Sequence, residues 1–232
     1  MDLKTEMNRS FYVAFDSNYY RYGLALIHSI QGFHPDATIY VYALNCMAKE
    51  VVKVKSIRNV EILVQNSATK GDSSAFITSH RFVALSTMLR TMADDEVVIG
   101  LDADSLLCRS CDPVFEAMDG ADVMLQLRPS RPDHQKMLAS TYVLKNTHAA
   151  RNYLGLVVGD LLAKRCEWCD DQLFLNRRYQ EGVAKGDISI GEWQPGFTSR
   201  RRWDEACILS PRPTTRRSEK FQHQVKIRSS QI

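Results

Sequence analysis

Short apolar runs and longer apolar stripes alternate along the first part of the chain. Phe11-Tyr-Val-Ala-Phe15, Thr38-Ile-Tyr-Val-Tyr-Ala-Leu44 and Val60-Glu-Ile-Leu-Val64 have strand length and are rich in aromatic and β-branched residues. Between them Leu24, Ile27 and Ile30 keep a helical spacing that stops at Gly32, and residues 47–56 predict a second helix with Lys on its outer face. Asp16, Ser17 and Asn18 offer N-cap chemistry before the first helix, and Pro35-Asp36 turns the chain after it. Strand–helix–strand–helix–strand is the opening of a doubly wound parallel sheet. Residues 66–79 are polar and contain Gly and Ser, which predicts a mobile loop. A helix over 80–92 follows, buried through Phe82, Leu85, Met88 and Leu89.

The pattern changes at residues 97–107. Here an apolar run enters Asp102-Ala103-Asp104 and an apolar run leaves it. Such a run reads as a strand buried on both faces, where unpaired carboxylates are costly. Ligand sites in open α/β sheets lie just beyond the carboxyl ends of strands. Two hard oxygen ligands there suit a divalent cation that itself holds phosphates. A turn that merely tolerates two Asp is the plainer alternative.

Further along, strands are expected over 122–127 and 139–145, separated by a loop over 128–135 that contains two prolines. Thr147 is a cap for a helix reaching about residue 164. Asp170-Asp171-Gln172 opens another helix, with Leu173, Phe174, Leu175 and Tyr179 as its apolar side. A short strand is expected over 187–190. Past Pro195 regularity fades, apart from residues 206–209. There is no internal repeat and no clear linker.

With 232 residues, 44% hydrophobic and 25% charged, the chain suits one α/β domain with a substantial core. Its net charge of +3 demands no polyelectrolyte partner, and no nucleic acid is expected. Residues 1–10 lack an apolar signal region and no run approaches the roughly 18 apolar residues of a membrane span, so a soluble cytoplasmic protein is expected. Four of the six cysteines form Cys-x-x-Cys pairs, Cys108/Cys111 and Cys166/Cys169. They match the ligand count of a structural zinc site, but their separation far exceeds the usual ribbon spacing, and ordinary thiols are the alternative.

Four motifs occur in a telling order: Asp16-x-Asn18-Tyr19 after the first strand, Arg81-Phe-x-x-Leu on a helix, Asp102-x-Asp104, and Asp171-Gln172-x-x-x-Asn176. Together, over roughly residues 11–179, the chain resembles nucleotide-sugar glycosyltransferases of the GT-A fold, especially the family 8 type. The resemblance implies a single GT-A-like domain over residues 1–199, with a Rossmann-like, doubly wound, mostly parallel sheet, followed by an irregular basic segment over 200–232. It implies Mn²⁺ or Mg²⁺ held by Asp102 and Asp104 against the diphosphate of a nucleoside diphosphate sugar. Asp16 and Asn18 would bond the base or ribose, Tyr19 would stack on the base, and Arg81 would sit near the donor phosphates or sugar. Asp171 and Gln172 would face the transferred sugar and its reacting carbon. Helix capping is a competing role for Asp171, as core packing is for Tyr19 and solvation for Arg81.

The chain also departs from the family. Ala139 and Thr141 stand where an Asn and a Gly are usual, and the C-terminal His-x-x-Gly-x-x-Lys-Pro-Trp is missing. The nearest equivalent, His223-Gln-Val-Lys226, offers His223 as a third metal ligand and Lys226 as a diphosphate contact. From Arg200 onward nine Lys or Arg face three Asp or Glu, with Trp203, Phe221, Val225 and Ile227 among them. That composition suits a solvated tail, or peripheral contact with an anionic surface at the inner membrane. The expected reaction is retaining transfer of a sugar to a glycan or glycolipid acceptor. A nucleotidyltransferase of related fold is the enzymatic rival, although no glycine appears between Asp16 and Tyr22 to build a phosphate loop. An inert nucleotide-binding or zinc-stabilised interaction protein is the non-enzymatic one.

Overall fold

The computed structural model describes residues 8–67, 73–163, 167 and 169–230. Its main sheet has six strands: β1 (Arg9–Asp16), β2 (Thr38–Leu44), β3 (Val60–Gln65), β4 (Val97–Asp102), β6 (Val123–Leu127) and β7 (Met137–Lys145). They lie in the order β3-β2-β1-β4-β7-β6. The first four are mutually parallel, whereas β7 runs antiparallel to both β4 and β6. A small sheet joins β5 (Leu106–Leu107), β9 (Ile208–Leu209) and β8 (Thr198–Ser199). The expected α/β architecture with a mostly parallel sheet is therefore present.

Helices cover both faces, and the side-chain alternation of each strand feeds two apolar layers. On one face Phe11, Val13, Phe15 and Ile99 pack with Leu24 and Ile27 of α1 (Tyr20–Phe33), Val54 of α2 (Ala48–Lys55) and Phe115 of α4 (Asp112–Glu116). On the other, Tyr12, Tyr42, Val98 and Tyr142 meet α3 (Ser73–Met88), α5 (His148–Leu162) and α6 (Asp170–Lys185) through Phe82, Leu85, Tyr153 and Leu175. Thr147 caps α5 by accepting the Ala150 N–H. Gly100 of β4 lies opposite Tyr142, whose ring covers it so closely that a Cβ would come within 2.2 Å. Among the described residues no helix is long and apolar enough to cross a membrane.

Three local expectations are corrected. The polar stretch expected as a loop up to residue 79 is helical from Ser73, because Phe76 and Ile77 give α3 a partly buried start that the surrounding Ser and Thr conceal. Of the strand expected over 187–190, only Ile190 makes a ladder contact, a parallel bridge to Val123. The C-terminal segment is more regular than its composition suggests. It supplies β8, β9, α7 (Pro213–Arg216) and α8 (Glu219–Ser229), and Ser218 caps α8. Phe221 and Val225, one turn apart, bury against Ala25 of α1 and Leu106 of β5. Two apolar anchors are too narrow a stripe for periodicity to reveal. Ile227 remains exposed.

Gly100→Ala is expected to lower stability by about 1–3 kcal/mol through overpacking against Tyr142. A lower urea midpoint at an unchanged denaturant slope would report it.

Candidate active site

The chain runs from β1 outward to β2 and β3, then returns to β4 on the other side of β1. That reversal opens a crevice at the carboxyl ends of β1 and β4, the usual ligand position in such sheets. Asp16 ends β1 and Asp102 ends β4, with Ala14 directly beside Asp102 in register. The Ser105 N–H bonds the Asp102 carbonyl and turns the chain, carrying Asp104 to the same rim.

Arg81 organises this rim from below. The residue is buried, and its guanidinium bonds Asp102 and, at 2.8 Å, Asp171 Oδ2. Its Nε donates to the Thr78 carbonyl at 3.1 Å, while the Tyr12 hydroxyl donates to its own carbonyl at 2.6 Å. Burial opposes the charge of Arg81, but the two carboxylates more than offset it and its pKa rises. Burial also pushes Asp171 up, against the pull of Arg81. One arginine on α3 thus ties together the ends of β4 and α6.

Asp104 has a different partner. Arg216 of α7 donates to its Oδ2 at 2.7 Å and to the Tyr19 hydroxyl at 3.1 Å, with the guanidinium carbon 5.7 Å from the Tyr19 ring centre. Burial, and then repulsion from Asp102, raise the Asp104 carboxyl from its ordinary 3.8 to about 6, even though Arg216 opposes the shift. Two neighbouring hard-oxygen groups, with the Asp104 charge disfavoured by burial and by Asp102, fit a divalent cation such as Mn²⁺ or Mg²⁺, which would relieve that repulsion.

Gln172 follows Asp171 at the start of α6. Its side-chain oxygen accepts from Arg128 Nη2 at 3.0 Å, and its Nε2 contacts Cys169 Sγ at 3.5 Å. Cys169 holds the helix start with φ of 72°, a left-handed conformation that costs a non-glycine residue roughly 1 kcal/mol. The capping role foreseen for Asp171 is not taken up: Cys169 is the N-cap and no side chain among the described residues caps α6, while Asp170 accepts the N–H of Glu167, ahead of the helix, at 2.6 Å. Among the described residues, the backbone donor to Asp171 is the adjoining Gln172 N–H, at 2.8 Å. Nearby, the hydroxyls of Ser140 and Thr141 and the side-chain oxygen of Asn176 are buried without a partner among the described residues.

Asp16 is engaged in its own turn, accepting the Tyr19 N–H at 3.0 Å and the Asn18 side-chain N–H at 3.1 Å. Asn18 and Tyr19 are exposed beyond it. His223 and Lys226 are exposed on α8. No group of three or more His, Cys, Asp or Glu suited to a metal forms among the described residues, so His223 is not gathered with Asp102 and Asp104. Cys166 lies outside the described residues, while Cys108, Cys111 and Cys169 are free thiols. Sequence reasoning missed Arg128 and Arg216 as site residues. Arg216 was visible only as one cation in a basic tail.

No family model matches the sequence, and no curated protein does. Among solved structures, the fold is that of the GT-A-type glycosyltransferases. The galactosyltransferase LgtC, in complex with donor and acceptor sugar analogs, superposes with a TM-score of 0.65 at 16% identity, over 94% of this chain and 95% of that one. An active-site mutant of LgtC matches with a TM-score of 0.63 at 14% identity, over 94% and 95%. The bifunctional glycosyltransferase WbbM matches over all of this chain and 51% of its own, with a TM-score of 0.64 at 13% identity.

Replacing Arg81 by Met should destabilise the fold by about 3–5 kcal/mol, because it leaves the buried Asp171 carboxylate unpaired; chemical denaturation measures this. Asp104 gives a pH signature. A carboxyl that holds its proton more tightly when folded adds stability that is present below 3.8 and lost as pH rises through about 6. In EDTA, the wild-type protein should therefore lose stability relative to Asp104→Asn across that window, as read by urea midpoints.

Proposed function

We propose that this protein is a metal-dependent glycosyltransferase that moves a sugar from a nucleoside diphosphate sugar to an acceptor hydroxyl. The observation that carries the reading is the Asp102/Asp104 pair at the switch point of a GT-A-type sheet, linked through Arg81 to Asp171 at the head of α6. Asp102 and Asp104 hold Mn²⁺ or Mg²⁺. When bound, the cation supplies Lewis-acid neutralisation of charge growing on the departing nucleoside diphosphate. Asp16 shapes the turn that presents Asn18 and Tyr19 to the nucleoside. Tyr19 is the stacking surface, consistent with its exposure beside the Arg216 guanidinium.

Arg216 takes the phosphate-facing role that the resemblance assigned to Lys226, since it already reaches Asp104 from the C-terminal segment. Asp171 and Gln172 orient the transferred sugar, with the unpartnered Asn176 oxygen as a further acceptor for its hydroxyls. Retention of anomeric configuration follows from the family 8 resemblance. LgtC's donor and acceptor analogs support a two-substrate reaction here, with a glycan or glycolipid acceptor at the cytoplasmic face. Any contact with an anionic membrane would be mainly electrostatic, through the basic C-terminal segment, because Phe221 and Val225 are buried and only Ile227 of its apolar side chains named above is exposed.

The nucleotidyltransferase alternative finds no support in the first glycine after β1. Gly23 lies inside α1, where a Cβ would come within 2.4 Å of the Phe15 ring, so its smallness serves packing.

UDP or GDP with Mn²⁺ is expected to raise the melting temperature, and Mn²⁺ removal should abolish the shift. Asp104→Asn should lower donor hydrolysis or transfer about 100-fold, equal to about 3 kcal/mol of lost transition-state stabilisation. Unchanged turnover in a folded Asp104→Asn protein would refute the metal role.

A further inference from the structure

Arg128 is the first residue after β6, and Arg200 the first after β8. The Thr198 hydroxyl bonds the Gln126 side-chain oxygen at 3.2 Å, which holds the end of β8 against the end of β6. The two arginines therefore leave their strands into the same region. The Thr215 hydroxyl bonds the Arg200 carbonyl at 3.0 Å and ties this corner to α7. Arg200 and Arg212 line a cleft of about 460 Å³ with Ser199, Arg201, Arg202 and Glu205. Its only carboxylate, Glu205, is paired with Arg202.

Among the described residues, Arg128, Arg200 and Arg212 have no carboxylate partner within ion-pair distance. The Nε atoms of both Arg128 and Arg200 are buried without an acceptor. Burial lowers the Arg200 pKa, and repulsion from Arg212 and Arg128 lowers it further, with Asp102 and Asp104 only partly compensating. Arg128 and Arg200 are half-buried and Arg212 is exposed beside them, and although Arg128 Nη2 reaches Gln172 and the Met137 carbonyl, two unpaired buried Nε donors in a cluster of like charges are costly to maintain. An oxyanion among them would satisfy the donors and remove the repulsion, and Arg suits phosphate or carboxylate through its planar fork.

Position decides which substrate brings that anion. The nucleoside-side residues follow β1, the acidic pair follows β4, and Arg128 follows β6, two strands further across the sheet or about 10 Å away. Arg128 also touches Gln172, on the sugar side of the proposed reaction. Arg216 already stands with Tyr19 and Asp104 on the donor side.

We propose that Arg128, Arg200 and Arg212 form an anion subsite that receives a phosphate or carboxylate group of the acceptor, so that the enzyme glycosylates an anionic acceptor. This assignment rests on the transferase reading above, while the subsite itself does not.

The test is calorimetric titration of the full chain with inorganic phosphate at low ionic strength, without divalent cation. The proteins compared are wild type, Arg200→Gln, Arg212→Gln and Arg58→Gln; Arg58 pairs with Asp36 at a distant, exposed position and controls for net charge. Phosphate affinity is expected to fall at least about fivefold in Arg200→Gln and in Arg212→Gln and to hold in Arg58→Gln, each loss corresponding to about 1 kcal/mol. Equal affinity in all four proteins would overturn the subsite. A second titration is made with saturating UDP or GDP and Mg²⁺. Retained phosphate binding supports the acceptor assignment. Displacement by the nucleotide overturns it and gives the cluster to the donor diphosphate. Failure of either nucleotide to bind with Mg²⁺ would sink the transferase reading and the acceptor assignment together, while Arg200-dependent phosphate binding would leave the anion subsite standing.

Discussion

Arg81 is a buried cation shared by two acidic residues from different parts of the chain. Charge in a protein interior is tolerated only when paired and hydrogen-bonded, and here each member needs the others. Asp102 belongs to the end of a central strand and Asp171 to the start of a helix on the far side of β7. The guanidinium fixes the distance between them, and its own backbone is held by the Tyr12 hydroxyl from β1. The acidic rim is therefore anchored by the same sheet that forms the core.

Around that anchor the site is a balance of opposite charges. Asp102 and Asp104 crowd each other, and Arg216 relieves Asp104 only in part. Across the rim, Arg128, Arg200 and Arg212 gather without a carboxylate partner among the described residues. An acidic centre flanked by an unanswered basic edge matches a ligand that carries anionic groups and is itself held by a cation. The left-handed Cys169 adds local strain at the head of α6, where its sulfur meets the Gln172 side chain.

The C-terminal segment shows how a basic composition can mislead. Read as residues, it is a run of cations with scattered aromatics. Folded, Phe221 stacks near Tyr22, α8 lies on α1, and the small sheet with β5 ties the segment to the chain just past Asp104. These contacts deliver Arg216 to Asp104, and the Thr215 hydroxyl holds the Arg200 carbonyl beside α7. His223 and Lys226, chosen because their spacing approximated a known motif, point instead from exposed positions of the same helix.

The sequence alone determined the six strands of the main sheet and the helices between them, apart from the start of α3, together with the both-face burial of the central strand and the place of Asp102 and Asp104 at its end. These follow from local periodicity and from the cost of stranding charge next to apolar runs, which are readable along one dimension, whereas the resemblance to family 8 singles out Arg81, Asp171 and Gln172. Tertiary structure decided what each charge faces. That Arg81 would be buried between two acids, that Arg216 rather than Lys226 would reach Asp104, and that Arg128 and Arg200 would converge depends on contacts between residues many tens of positions apart. Charge pairing is non-local, and a sequence carries the charges without the distances between them.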